Sequence, residues 1–371
     1  MTSPRTVPFF PYNRFFSSEE TELTAVLQEV LRRGAFILQK DVVEFEKNIA
    51  EYIGAKHVIG VANATDALIL ALRAADIGPG QEVIFSSHTF VATASAIHFA
   101  GAIPVPVECG PDHMIDPKSV ETAITSKTRA IMPTQLNGRT CDMDALLDIA
   151  RRHNLQIVED SAQGLGSQFK KKFAGTFGLA GVLSFYPAKI LGCFGDGGAV
   201  ITSDDEIARK IRLLRDHGRD ELGNVVCWGL NSRLDNIQAA VLNYYFRHFP
   251  TIVSRRREIA KLYNDQLKDV KQLSLPPAPG ADADHFDTYQ NYEIEAERRD
   301  ELKNHLKDRD IGTLIQWGGS PVHQFRELGF KTKLPFTENL FTRLLMLPMN
   351  PLLSNDDALY ISETIRKFYR K

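Results

Sequence analysis

Cysteine is scarce and scattered. Cys109, Cys141, Cys193 and Cys227 are the only four in 371 residues, and none belongs to a Cys-x-x-Cys pair. That spacing argues against a disulfide framework or a metal site, and makes reduced thiols and a cytoplasmic location the expectation. Charge of one sign is also missing: the formal net charge is −2, spread without blocks. Nucleic-acid and membrane-surface proteins draw their affinity from a basic field, so neither partner is expected. Lys170-Lys171-Lys172 is the one dense basic cluster and reads as a solvated turn. No run of about 18 apolar residues is present to span a bilayer. Met1 to Phe16 carries three prolines and no continuous apolar region, unlike a secretory signal. The glycine fingerprint of dinucleotide-binding dehydrogenases and the phosphate-loop motif are absent too; Gly192–Gly198 has the wrong spacing.

What is there supports a large packed core. Hydrophobic residues make up 43% and charged residues 24%, which disfavours disorder. An amphipathic helix is expected from about residue 18 to 34, capped by Ser17 or Ser18 and stopped by Gly34. Short apolar segments then recur at His57–Val61, Glu82–Phe85, Ile103–Val107, Ala130–Pro133, Gln156–Val158, Val182–Phe185 and Ala199–Thr202. Helical patterns such as Thr65–Ala75 and Met143–His153 lie between them. Strands at this spacing with intervening helices predict crossover connections and a mostly parallel seven-stranded sheet. After residue 204 helices dominate. A Pro/Ala/Asp-rich linker at Leu275–Asp284 is followed by strands at Tyr289–Ile294 and Gly312–Ile315 and helices at Arg299–Arg309 and Ser354–Tyr369. The expected division is a large lobe over 1–249 and a small α+β lobe over 250–371, with the N-terminal helix a candidate to pack on the latter.

Lys189 lies in Ser184-Phe185-Tyr186-Pro187-Ala188-Lys189, after an apolar strand and before a glycine-rich stretch. Taken alone, a lysine at a strand end is a snorkelling surface residue. Here Pro187 and Gly192 bracket it and its neighbours are apolar, which aims the amine into a cleft. Upstream, Val158-Glu159-Asp160-Ser161-Ala162-Gln163 ends another strand in carboxylates, of which one is expected to face solvent. Asp160 is either a helix cap or the partner of a cofactor's ring nitrogen. An amine and a carboxylate at neighbouring strand ends are what pyridoxal phosphate requires: a Schiff-base lysine and an acid that keeps the pyridine protonated. Such a pair at about 4 Å is worth about 4 kcal/mol at an effective dielectric near 20. Gln163 is placed to reach the ring's hydroxyl oxygen.

Other words fit around this pair. Val61–Leu68 runs from strand to helix, and the first-turn N–H groups at Ala64 and Thr65 suit a phosphate, though an ordinary cap would look the same. Ser184 can add a hydrogen bond, or be a small residue on a packed strand. Phe90 can stack on a ring, or be core. His88 reads as a satisfied loop histidine, and Asn231 or Ser232 as a helix cap. Tyr186, Trp317 and His323 are candidate substrate contacts, with loop packing as the alternative for the last two.

These words occur in order along nearly the whole chain. Gly34-Ala35-Phe36-Ile37-Leu38, Asn63–Leu68, Thr89-Phe90-Val91-Ala92-Thr93, Asp142-Met143-Asp144, Val158–Gln163, Ser184–Lys189, Gly195-Asp196-Gly197-Gly198 and Asn231-Ser232-Arg233-Leu234-Asp235 together resemble the DegT/DnrJ/StrS family of pyridoxal phosphate-dependent sugar aminotransferases. The resemblance implies the aspartate aminotransferase-like (type I) α/β fold. It implies that Lys189 carries the cofactor, Asp160 faces the pyridinium with Gln163 beside it, and Ala64, Thr65 and Ser184 hold the phosphate. Phe90 would be the stacking ring. Asn231 would reach the phosphate in a neighbouring subunit, so a homodimer with shared sites is implied. Two segments depart from the family pattern where the sugar would sit: Gln135-Leu136-Asn137-Gly138 and Gln316-Trp317-Gly318-Gly319.

The expected activity is amino transfer from L-glutamate to C3 or C4 of a nucleoside-diphosphate-linked keto-(6-deoxy)sugar. An aminocyclitol transaminase is the alternative. A pyridoxal phosphate-dependent sugar dehydratase is a weaker one, because those relatives carry histidine at the position of Lys189. A regulator or scaffold that merely keeps the fold has no use for Lys189, Asp160 and the phosphate turn together.

Overall fold

The recurring apolar segments become one sheet. The computed structural model describes residues 5–370. Its strands are β1 (His57–Val61), β2 (Glu82–Ser86), β3 (Ile103–Val107), β4 (Thr128–Met132), β5 (Gln156–Asp160), β6 (Ala180–Ser184) and β7 (Gly198–Thr202), in the spatial order β1-β7-β6-β5-β4-β2-β3. The pairs β2–β3, β2–β4, β4–β5 and β5–β6 are parallel, while β7 runs antiparallel to both β1 and β6. All five residues of β7 are buried, as a strand covered on both faces must be. The helix Ala64–Ala74 buries seven residues against the sheet, which explains its almost unbroken apolar composition.

The parallel strands end on one side, where open α/β sheets bind ligands. The residues after β1, β2, β4, β5 and β6 all arrive there. Gly198 opens β7 between Val61 of β1 and Ser184 of β6. A Cβ on Gly198 would lie 2.5 Å from the Asn63 carbonyl carbon, so only glycine lets the turn after β1 sit this close.

The smaller lobe is α+β. Strands β8 (Leu273–Ser274), β9 (Tyr292–Ala296) and β10 (Leu344–Leu347) form an antiparallel sheet in the order β8-β9-β10. Helices Phe249–Leu267, Arg299–Lys307 and Asn355–Tyr369 contribute Tyr263, Leu302 and Ile361 to a core with Tyr292 and Leu345. Val7 joins this core and is pinned by hydrogen bonds to Asp310 and Gly312. The helix Glu20–Arg33 lies instead against helix Asn236–Phe246.

Several local expectations change. The first long helix starts at Glu20 with Glu19 as an N-cap that makes no side-chain bond, because Tyr12–Ser17 forms a short helix of its own. Gly34 ends the long helix in the left-handed region, as expected. Gly312–Ile315 is no strand; it contributes a single bridge, Leu314 to Met346. The strand that pairs with β9 is the four-residue apolar run of β10, too short for its periodicity to show. In the helical region after residue 204, one helix, Asn236–Phe246, stops at Phe246, and a new one begins at Phe249 with Pro250 in its first turn.

Candidate active site

Lys189 sits on the connection between β6 and β7. Phe185 N–H donates to Gly197 O at 2.8 Å, Cys193 N–H to Phe185 O at 2.9 Å, and Lys189 N–H to Tyr186 O at 2.8 Å. A Cβ on Gly192 would lie 2.6 Å from Pro187 O, so the loop closes tightly only with glycine there. From the other lobe, the Gln290 side chain straps the lysine on both flanks: its Nε2 donates to Ala188 O at 2.9 Å and its Oε1 accepts from Ile190 N–H at 2.5 Å. Gln290 is held in turn by buried Arg256, whose Nη1 donates to Tyr289 O, Gln290 O and Met349 O at 3.0–3.1 Å. Burial brings the Lys189 amine down to about 8, and the Asp160 charge opposes the fall.

Asp160 ends β5, the strand beside β6, within the electrostatic reach of Lys189. Its Oδ2 accepts from Thr93 Oγ1 at 2.7 Å and its Oδ1 from Ala162 N–H at 3.2 Å. Thr93 is joined to Thr89 at 2.7 Å, and Thr134 donates to Thr89 at 2.9 Å. Three hydroxyls, two from the segment after β2 and one from the end of β4, thus form a chain that ends on one carboxylate. Burial raises its pKa, while Thr93, Ala162 and the Lys189 charge pull it down. Each of the two groups lies in the other's field.

Glu159 corrects the expectation that one of this pair faces solvent. It is fully buried on the opposite face, where its oxygens accept from Gln135 Nε2 and from the N–H groups of Gly175, Phe177 and Gly178 at 2.6–3.0 Å. A sheet covered on both sides leaves no wet face.

Gln163 is part of a polar network. Its Oε1 accepts from Asn137 N–H at 2.8 Å and Asn291 Nδ2 at 3.3 Å, which fixes the amide orientation and turns its Nε2 donor away from both. That donor is the polarity a phenolate oxygen needs. After β1, Asn63 is the true cap of helix Ala64–Ala74, its Oδ1 accepting from Asp66 N–H at 2.8 Å. The cap therefore is neither Thr65 nor Asp66, and the half-buried Ala64 and Thr65 stand at the first turn beside Gly198. Ser184 is half-buried at the end of β6, its Oγ 3.4 Å from Tyr186 N.

Phe90 is not core. It is 53% exposed at the head of helix Val91–Phe99, with the Trp317 ring centroid 5.4 Å away. Tyr186 is half exposed. The His323 ring is buried and engaged at both nitrogens, with Nδ1 2.7 Å from Ser87 Oγ and Nε2 3.1 Å from Glu338. Asn231 is exposed, its backbone bridged to Asp216. Neither it nor Ser232 caps the next helix, whose N-cap is Asp235; Ser232 Oγ instead accepts from Ala62 N–H. Beside Asn231 a hairpin projects apolar side chains, with Leu222 87% and Trp228 94% exposed.

Sequence reasoning missed Gln290, Asn137, Asn291 and the Thr89–Thr93–Thr134 chain as parts of the site. Asn137 stood inside a segment flagged as a departure, and Thr89 and Thr93 bracket a word quoted for the family resemblance; Gln290, Asn291 and Thr134 carried no signal.

The model of the DegT/DnrJ/EryC1/StrS aminotransferase family matches residues 17–366. The chain belongs to this family. A relative in Streptomyces venezuelae, named dTDP-3-amino-3,4,6-trideoxy-alpha-D-glucose transaminase, is 40% identical over 99% of this chain and 97% of its own. Another in Geobacillus stearothermophilus, named pleiotropic regulatory protein, is 41% identical over 98% of this chain and 99% of its own. The crystal structure of S. venezuelae DesV in complex with a ketimine intermediate superposes with a TM-score of 0.94, at 39% identity, covering 99% of each chain. Family membership accounts for the type I fold and for a lysine and an aspartate meeting at the strand ends. Asn137, Gln316, Asn291 and Glu293 form one hydrogen-bonded group beside Gln163.

Proposed function

We propose that this protein is a pyridoxal phosphate-dependent aminotransferase acting on a nucleoside-diphosphate-linked keto-sugar, a 6-deoxyhexose aminated at C3 or C4, with L-glutamate as amino donor. The observation that carries this reading is the burial of both Lys189 and Asp160, each within the other's field. A buried ammonium is costly to keep, and a structural role would be served better by an apolar residue. That argument also disfavours a purely regulatory protein, whatever one relative is called.

The residues fit the cofactor. Lys189 would bind its aldehyde carbon, Asp160 its ring nitrogen, Gln163 Nε2 its phenolic oxygen, Phe90 its face, and Ala64, Thr65 and Ser184 its phosphate. When bound, pyridoxal phosphate supplies an electron sink that makes amino-group exchange at a carbon atom possible. Everything else falls to the protein. An amine with a pKa of about 8 is roughly a tenth neutral at pH 7, against less than about a thousandth for an ordinary lysine, so Lys189 Nζ serves both as nucleophile and as proton carrier. Thr93 and the Ala162 N–H leave Asp160 with lone pairs free, which would accept from the protonated ring nitrogen when the cofactor is bound. The network of Asn137, Asn291 and Gln163 orients the far edge.

Asn231 and the apolar hairpin beside it favour a homodimer in which each subunit completes the other's phosphate site, since exposed apolar surface of this kind is normally covered. Among the described residues no helix is long and apolar enough to cross a membrane, and the reduced-thiol composition suits a cytoplasmic enzyme. The unchanged Lys189 gives no support to a dehydratase. The test is a panel of keto-sugar nucleotides and a keto-inositol incubated with glutamate, following the amino product by mass. Amination of the keto-inositol alone would overturn the substrate assignment.

A further inference from the structure

His88 contradicts its sequence reading. Its ring is buried after β2, against Phe341, and neither nitrogen has a hydrogen-bond partner among the described residues. Its nearest charged neighbour is Glu293 on β9, 3.6 Å away. Glu293 is itself buried: its Oε1 lies 3.0 Å from His113 Nδ1 and accepts from Asn137 Nδ2 at 3.2 Å, while its Oε2 has no partner. His113 lies in the left-handed region at φ 68°, as do eleven other non-glycine residues among those described. One donor atom from each of His88, His113 and Glu293 lies within 4.8 Å of the others.

Glu293 Oε1 lies 3.0 Å from His113 Nδ1 and 3.6 Å from His88 Nε2, close to the edge of a tetrahedron around an ion with bonds of about 2.0–2.2 Å, and the third separation is within 4.8 Å. The surroundings match as well. His113 turns its other nitrogen toward Glu295 Oε1 at 3.4 Å, and Arg343 grips Glu295 at 2.7 and 3.0 Å. A carboxylate behind a ligating histidine is the usual means of fixing its tautomer. On the remaining side lies a cavity of about 80 Å³, lined by Asp112, His113, Asn137, Asn291 and Glu293, with room for water. We propose that His88, His113 and Glu293 form a binding site for a divalent transition-metal ion of the zinc class, with water from the cavity as fourth ligand. Two nitrogen donors disfavour magnesium and calcium, which take oxygen ligands.

Without an ion, the contact of His113 Nδ1 with Glu293 Oε1 at 3.0 Å leaves His88 with no hydrogen bond among the described residues, whereas a metal would engage all three. The ion would tie β9 of the small lobe to the loops after β2 and β3, one residue (Asn137) away from Gln163. It belongs to the support of the site and does not touch Lys189, so the proposal stands or falls separately from the aminotransferase reading.

The test uses tag-free full-length protein carrying its cofactor, dialysed against a chelator and titrated with Zn²⁺ or Mg²⁺ by calorimetry, with metal analysis after gel filtration. Expected are about one zinc per chain, no binding of magnesium, a rise in Tm of several degrees and proton release on binding. Glu293→Gln and His113→Asn should each weaken zinc at least about tenfold, and Cys227→Ser should not. Far-UV circular dichroism and the cofactor's absorbance verify that each variant is folded. Less than a tenth of an equivalent bound to the wild type, magnesium binding as tight as zinc, or unchanged affinity in both ligand variants would overturn the proposal.

Discussion

Glu159 and Asp160 are adjacent, equally charged and both buried, yet they end on opposite faces of β5 with opposite duties. Glu159 meets four donors, three of them backbone N–H groups, and has little left to offer. Asp160 meets two and keeps capacity toward the cavity. Burial raises the pKa of both, so desolvation does not separate them. What separates them is saturation: a carboxylate whose lone pairs are spent holds a loop in place, and one with lone pairs in reserve holds a ligand.

The contrast can be broken most severely at its partner. Lys189→Ala should reduce turnover by about 10⁴-fold or more and remove the cofactor's long-wavelength absorbance; stopped-flow and absorbance scans check both. Asp160→Asn keeps shape but loses charge, and should lower kcat by about 10³-fold, the equivalent of about 4 kcal/mol. Urea unfolding should show it nearly as stable as the wild type. Glu159→Gln should invert that pattern: stability falls by about 2–4 kcal/mol because an amide donor now faces backbone donors, with kcat within about twofold. Equal losses of activity in the two variants would dissolve the distinction.

A pH series sharpens it further. With the Lys189 pKa lowered to about 8, the unfolded chain binds more protons than the folded one between about pH 8 and the unfolded value near 10.5. Stability of the cofactor-free protein should therefore rise with pH across that window, by up to about 3 kcal/mol from this group. Lys189→Met should abolish the rise and be the more stable protein at pH 7, as read from denaturant midpoints. The smallest effect is expected at Gln290→Ala, which leaves the Ala188 carbonyl and the Ile190 N–H without their partner. A stability loss of about 2 kcal/mol should accompany a roughly tenfold lower kcat, because the lysine is no longer aimed.

The cofactor end was largely legible before folding. Lys189, Asp160, Gln163, Phe90 and the Asn63–Leu68 turn are each part of a short local word at the end of a periodic strand, and the structure places them on one side of one sheet. The remainder was hidden for a physical reason. Gln290 reaches Ala188 and Ile190 across about a hundred residues of chain, and an isolated glutamine has no spacing rule to announce it. His88 read as ordinary because its neighbours in space, His113 and Glu293, come from a loop and a strand far along the chain. Short β10 escaped because four apolar residues fit a helix turn as well as a strand.

The direction of β7 has its own consequence. Had it continued the parallel set, the chain leaving β6 would have had to travel back under the sheet to start the next strand from the far end. Because it reverses, residues 185–197 never leave the ligand's side, and the reactive amine rides on a hairpin cap instead of vanishing into a return helix. One inverted strand thus decides where the nucleophile can stand.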